Sequence, residues 1–349
     1  MSTRILIVRL SALGDIVHAV PVLSAIRRHD PSAEIDWLVE ESYAAVLGMV
    51  DGLRRRIIVR ARKNGSRGGD VVFASGLGYL KAAFFLRRQH YDVALDLQGL
   101  IKSAAWARVS GATRVIGFAP GHLREPHAAR LYTEAVTPPE APHIIQKNLA
   151  MAAHLGAPVS PFTLPLSAEP SPALSAAVHD AVGPARYAVL NPGAAWPNKR
   201  WPPERFGALA EALLHRFGLA SFITWGPSER ALAEEIVARS GGAARIAPPT
   251  EIADLAALVR GAALVVSGDT GPLHIAAAMG APIVGLFGPT RPERNGPWDP
   301  EDEVISRAGQ CQCHHKRQCL IGAPCINDIS LDEVVQAVGR RLAKERRSS

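Results

Sequence analysis

The chain reads as an α/β protein of two lobes, each a parallel sheet covered by helices. Strand-like and helix-like segments alternate along it, and the alternation breaks once in a Pro- and Ser-rich stretch before starting again. Its 349 residues also exceed a single domain of roughly 100–200 residues.

In the first run, residues 5–10 form an apolar segment of strand length. Residues 15–28 carry Ile16, Val20, Leu23 and Ile26 at helical spacing. Residues 35–39, 91–97 and 114–118 read as further strands, the second followed by a helix through Arg108. The stretch GAPVSPFTLPLSAEPSPALS disfavours regular structure, and a linker is expected over 161–185. The second run has strands at 187–190, 220–225, 262–267 and 282–287, with helices at 203–217, 228–240, 252–260 and 272–279. The expected organisation is a first domain over 1–160, a second over 186–330, and a C-terminal helix within 331–349 packing across the lobes. A cleft between two such lobes is a common place for a small-molecule site.

Hydrophobic residues make up 48% of the chain and charged residues 20%, which suits two cores and excludes disorder. Lys and Arg total 39 against 32 Asp and Glu, a net charge of +7. That excess fits an anionic ligand or membrane face. Scattered bases and 6% aromatics argue against a nucleic-acid partner. The basic run over 54–67 (RRRIIVRARKNGSR) is either a solvated loop or a site for an acidic acceptor or lipid headgroup. The opening MSTRILIVRL lacks a signal-peptide pattern, and no apolar stretch of about 18 residues is uninterrupted. The protein is expected in the cytoplasm, or peripherally on the cytoplasmic face of the inner membrane.

Four motifs sit where strands give way to helices. Ser11–Asp15 (SALGD) puts Asp15 at the mouth of a sheet, as a general base or as a helix cap. Residues 267–274 (SGDTGPLH) open a helix whose backbone N–H groups and dipole suit a phosphate. Thr270, Gly271 and His274 would converge there, with Asp269 a cap and His274 a packing side chain as the plainer alternatives. In 191–201 (NPGAAWPNKRW), Lys199 and Arg200 ride a Gly/Pro loop that could serve a diphosphate or be ordinary surface. In 225–229 (WGPSE), Glu229 could bind ribose hydroxyls or only favour its helix start. Cys311, Cys313, Cys319 and Cys325 cluster near the end, beside His314 and His315; their spacing matches no common zinc pattern, and no metal site is assigned. The Walker phosphate loop, a strand-linked GxGxxG, HExxH and GxSxG are all absent, which removes support for kinase, dehydrogenase, zinc-protease and esterase readings.

The segments ILIVRLSALGDIVHAVPVL, LNPGAAWPNKRWPPERF and VVSGDTGPLHIAAAMGAPIVGLFGPT resemble the ADP-heptose:lipopolysaccharide heptosyltransferases, glycosyltransferase family 9. IDWLVEE, DLQGLIKSA and REP look closer to heptosyltransferase I. The resemblance implies a GT-B fold, two Rossmann-like α/β/α domains facing across a cleft, acceptor on the first and nucleotide sugar on the second. It implies inverting transfer from ADP-heptose to a Kdo sugar of Kdo-lipid A, with no cofactor and no essential metal ion. Asp15 matches the family's catalytic base. Lys199, Glu229, Thr250, Asp269, Thr270, Gly271 and His274 match donor-site positions, and Arg60, Lys63 and Arg124 match acceptor-side positions. Ala194 and Ala195 stand where heptosyltransferase I commonly carries hydroxyl residues. The alternatives are a heptosyltransferase II-type acceptor or another nucleotide sugar on the same fold, or a non-catalytic binding protein.

Overall fold

The computed structural model describes residues 2–60, 71–73, 77–140, 143–313, 316–319 and 322–348. The chain divides into two compact units, Met1–Ser167 and Ala168–Ser349.

The first unit runs β1 (Arg4–Val8), α1 (Leu13–Val17), α2 (Val20–His29), β2 (Glu34–Glu40), α3 (Ala44–Leu47), β3 (Arg55–Val59), β4 (Val71–Phe73) and α4 (Leu77–Arg87). It continues with β5 (Val93–Asp96), α5 (Ile101–Val109), β6 (Arg114–Phe118), β7 (Glu134–Val136) and α6 (Ile144–His154). Its seven strands pair in the order β4-β3-β2-β1-β5-β6-β7, and every pairing is parallel. Helices on both faces bury the central strands, so β1 and β5 read as continuous apolar runs.

Two local readings change here. Residues 15–28 form two helices, because Pro21 has no N–H to donate back to Val17; it suits the first turn of α2 instead. The start of the basic run is sheet: Ile57, Ile58 and Val59 of β3 are buried. Ahead of them, Arg54 donates to both oxygens of the fully buried Asp36, at 2.8 and 2.5 Å. A buried carboxylate needs such a partner. Tyr91 also donates to Asp36 at 2.6 Å. Residues 61–70 of that run lie outside the described residues.

The second unit opens with α7 (Pro172–Val182), inside the stretch expected to be a linker. Ser171 caps it, its Oγ accepting from Leu174 N at 3.2 Å, and Pro172 supplies the pre-set first turn. Then come β8 (Tyr187–Asn191), α8 (Pro203–Phe217), β9 (Ala220–Ile223), α9 (Arg230–Ala238), β10 (Ala244–Ile246) and α10 (Ile252–Arg260). The chain closes with β11 (Leu264–Gly268), α11 (Gly271–Ala278), β12 (Ile283–Phe287), α12 (Pro292–Asn295), β13 (Glu303–Ser306) and α13 (Leu331–Ser348). Six parallel strands pair in the order β10-β9-β8-β11-β12-β13.

Helix α13 sets its apolar face (Val334, Val335, Ala337, Val338 and Leu342) into the second unit's core with Phe206, Leu213 and Leu286. Glu333 locks its start. The carboxylate accepts from Ser330 N at 2.8 Å, Ser330 Oγ accepts from Glu333 N at 3.3 Å, and Arg307 donates to both Glu333 oxygens at 2.6 and 2.7 Å. Among the described residues no helix is long and apolar enough to cross a membrane.

Two outcomes follow for this cap. Ser330→Ala should cost about 1 kcal/mol in urea unfolding. The Arg307 guanidinium and the Ser330 amide hold the Glu333 carboxyl down at about 2, from an ordinary 4.5. A depressed carboxylate stabilises the fold above its unfolded pKa, and that contribution fades as pH falls from 4.5 through about 2. Glu333→Gln should therefore flatten the acid limb of stability against pH over that window.

Candidate functional site

In the first unit the strand order reverses between β1 and β5, which leaves a crevice at the carboxyl edge of the sheet. Arg9, just beyond β1, is buried there. Its backbone N–H donates to Leu38 O at 3.3 Å, its carbonyl accepts from Trp37 Nε1 at 3.2 Å, and its guanidinium donates to Leu97 O. So anchored, Arg9 holds Asp15 Oδ2 at 2.7 Å. The Asp15 side chain is 44% exposed, and Oδ2 also accepts from Ala12 N at 3.4 Å. Asp15 is thus both a helix-start acceptor and an accessible carboxylate.

The β5 side of the crevice is equally fixed. Gln98 accepts from Leu10 N at 2.8 Å and donates to Ser11 Oγ at 3.3 Å. Beneath it, buried Asp96 accepts from Gln98 N, Gly99 N, Ser103 Oγ and Tyr132 OH. Burial pushes the Asp96 carboxyl up, and those four donors oppose the shift. Arg60 follows β3 at the same edge, buried, with Nε 2.8 Å from Glu41 Oε1. Arg124 is exposed on the loop after β6, next to Glu125, which accepts from Ile101 N at 2.7 Å and ties that loop to the start of α5. Lys63 lies outside the described residues.

In the second unit the order reverses between β8 and β11, and the loops leaving these strands hold most of the expected donor-side residues. Lys199 Nζ lies 2.5 Å from Asp269 Oδ2 and 3.3 Å from Asp269 O. Asp269 Oδ1 accepts from Asn295 Nδ2 at 2.6 Å and lies 3.4 Å from His274 Nε2. Burial would raise the Asp269 pKa, but the hydrogen bond to His274 and the Lys199 ammonium outweigh it and hold the carboxyl well below the usual range. Asp269 is therefore the hub of the cluster, and His274, itself buried, turns toward it.

Thr270 precedes α11. Its Oγ1 accepts from Asn191 Nδ2 at 3.1 Å and donates to Gly268 O at 3.3 Å. Asn191, at the end of β8, also donates to Ser267 Oγ and Gly193 O and accepts from Thr224 Oγ1 at 3.0 Å, so one buried amide joins the ends of β8, β9 and β11. The first turn of α11 offers backbone N–H groups at Gly271 and Leu273, with Pro272 between them contributing none. Two glycines allow the loops to close up. A Cβ on Gly268 would lie 2.9 Å from Lys199 O, and one on Gly193 would lie 2.1 Å from Glu229 Oε2.

Glu229 thus sits directly over Gly193. Its Oε2 accepts from Gly226 N at 3.1 Å, and Arg200 lies 3.6 Å from Oε1. Thr250 is half-buried in the loop after β10, three residues beyond Ala247, whose carbonyl accepts from Trp225 Nε1 at 2.9 Å. The structure brings Lys199, Asp269, Thr270, Gly271 and His274 together, with Glu229 joined through the Gly193–Arg200 loop; no hydrogen bond or ion pair ties Thr250 to them among the described residues.

Arg9, Asn191, Asn295 and Gln98 escaped the sequence reading. Arg9 shows in the sequence only as a lone charge within the apolar segment 5–10. Asn295 is 26 residues from its partner Asp269 and carries no local signal. The four cysteines form no disulfide. Cys313 and Cys319 Sγ atoms are 3.5 Å apart, and burial, with the Cys311 thiol, pushes Cys325 up to about 12. His314 and His315 lie outside the described residues. Among the described residues no group of three or more His, Cys, Asp or Glu side chains is placed to hold a metal ion.

The ion pair sets a stability expectation. Asp269→Asn leaves the largely buried Lys199 ammonium without its counter-charge. Unfolding of the second unit should lose about 3–5 kcal/mol, read as an earlier urea transition.

A model of glycosyltransferase family 9 (heptosyltransferase) matches residues 80–323. Lipopolysaccharide heptosyltransferase 1 of Pseudomonas aeruginosa is 32% identical over 317 residues, 90% of this chain and 87% of that protein. The Escherichia coli K12 protein of the same name is 29% identical over 308 residues, 87% of this chain and 93% of its own. Among solved structures, E. coli heptosyltransferase WaaC with ADP-2-deoxy-2-fluoro heptose superposes with a TM-score of 0.72 at 24% identity, covering 97% of this chain and 99% of that one. E. coli ADP-heptose lps heptosyltransferase II gives 0.75 at 20% identity, covering 99% and 100%. The structural likeness is one of fold, the GT-B class. Together with the sequence matches, it follows that the chain belongs to glycosyltransferase family 9, the heptosyltransferases.

Proposed function

We propose that this glycosyltransferase moves a heptose from ADP-heptose to a Kdo sugar of the lipopolysaccharide inner core, with inversion at the anomeric carbon. The observation that carries the reading is the chemistry at the two switch points. An anchored, accessible carboxylate stands at one. A lysine beside an open helix start stands at the other.

In this scheme the diphosphate of ADP-heptose lies at the start of α11. The Gly271 and Leu273 N–H groups, the Thr270 hydroxyl and the Lys199 ammonium meet its oxygens. Asp269 is a positioning residue: it orients Lys199, with His274 and Asn295 orienting Asp269 in turn. Glu229 receives the ribose hydroxyls, and Thr250 lies toward the adenine. Arg60, Lys63 and Arg124 neutralise the anionic Kdo acceptor.

Asp15 takes the proton of the acceptor hydroxyl as that oxygen attacks the anomeric carbon. The bond from that carbon to the phosphate oxygen breaks, and ADP leaves with the electron pair. Lys199 and the helix start stabilise the charge gathering on the leaving diphosphate. Arg9 keeps the Asp15 carboxylate aimed at the acceptor hydroxyl. An acceptor with a lipid anchor requires work at the cytoplasmic face of the inner membrane, with peripheral contact.

Asp15→Ala should lower turnover by about two or more orders of magnitude while calorimetry still detects ADP-heptose binding. Turnover close to that of the unaltered enzyme would remove Asp15 from the mechanism. Lys199→Ala should weaken donor binding and slow transfer together, and no change in either would sink its phosphate role. The reading as a whole is tested by mass spectrometry of products from ADP-heptose and Kdo-lipid A, where a single added heptose is the expected mass. A panel of other nucleotide sugars checks the donor.

A further inference from the structure

Helix α4 is apolar on two sides. Ala82 and Leu86 are buried, while Leu80 and Phe84, four residues apart on another face, are 68% and 63% exposed. Tyr79 and, on α5, Ile101 are also exposed. Between the two helices lies a groove of about 380 Å³ lined by Tyr79, Leu80, Ala83, Trp106, Val109 and the stem of Lys102. The rings of Tyr79 and Trp106 meet edge to face, 5.8 Å apart.

The charge carried by the two helices themselves has one sign. Residues 77–90 and 101–109 contain no Asp or Glu, but they carry Lys81, Arg87, Arg88, Lys102 and Arg108, all exposed. Arg88 lies over the Phe84 ring at 5.6 Å from its centroid, and Arg87 donates to Val109 O at 3.2 Å. The neighbouring carboxylates are engaged: Glu40 by Lys102 Nζ, and Glu125 by Ile101 N.

We propose that the α4–α5 face is the surface by which the protein docks on an anionic lipid bilayer. Exposed Leu, Phe and Tyr side chains enter the headgroup boundary while flanking Lys and Arg meet lipid phosphates. A second copy of the chain is a poor occupant, because a two-fold contact would set this cationic face against itself. The position also suits delivery of a membrane-bound acceptor. The start of α5 stands at the carboxyl edge of the sheet, next to the Gln98 loop that bonds Ser11, four residues before Asp15. The delivery role rests on the transferase reading above; the bilayer contact does not.

The test uses the full chain and vesicles of phosphatidylglycerol with phosphatidylethanolamine, against phosphatidylcholine alone. The unaltered protein should co-sediment with the anionic vesicles, less so in high salt, and hardly at all with phosphatidylcholine. Leu80→Asp with Phe84→Asp should reduce that binding about tenfold or more, and Lys81→Glu with Arg88→Glu should do likewise. All four positions are exposed, so melting temperatures should be unchanged. Transfer to a deacylated, water-soluble Kdo acceptor should proceed at the unaltered rate in both variants. No co-sedimentation of the unaltered protein, or undiminished binding by both variants, would overturn the proposal. So would a dimer of the unaltered protein that these changes dissolve without any vesicle binding. Failure of the transferase reading shows differently, as no transfer to the soluble acceptor while vesicle binding persists.

Discussion

A fully parallel sheet delivers every strand to the same edge, and the chain must then return along a helix on one face or the other. Where the direction of winding changes, the two central loops part and leave a crevice. This constraint is met twice, between β1 and β5 and between β8 and β11, and the chemistry-bearing side chains gather at those two places. Catalytic potential here is less a property of any one motif than of where the winding reverses.

Each crevice is stiffened by polar groups, most of them buried, that bond across it. In the first unit Arg9 and Gln98 join the β1 and β5 loops, with Asp96 beneath. In the second, Asn191 and Asp269 do so. Groups of this kind are costly to leave unsatisfied away from water, so each tends to hold a single arrangement. The residues expected to touch substrate are therefore held by others that do not.

Much of this was legible in the sequence. Central strands such as β8 and β11 are buried along their length and appear as short Val- and Leu-rich runs, and the Gly-, Thr- and Pro-containing turns after them mark loop-to-helix junctions. The misreadings have physical causes. Ser171 and Pro172 looked like linker because the residues that cap and begin a helix are also those that break one. Strand β3 was hidden because Arg54 and its neighbours gave the segment the texture of a basic loop, although a buried carboxylate on β2 takes up the first guanidinium. The amphipathic pattern of α13 was plain, but which surface it covers depends on a core assembled from distant segments. The link from Asp269 to Asn295 is likewise created by folding alone.

The fit of Glu229 over Gly193 ties two positions into one heritable unit. While the acid is present, a side chain at 193 must push the flexible carboxylate aside, so an alanine there moves the acid from its place over the loop. The converse is permitted: a descendant that shortened residue 229 would open room for alanine in the loop.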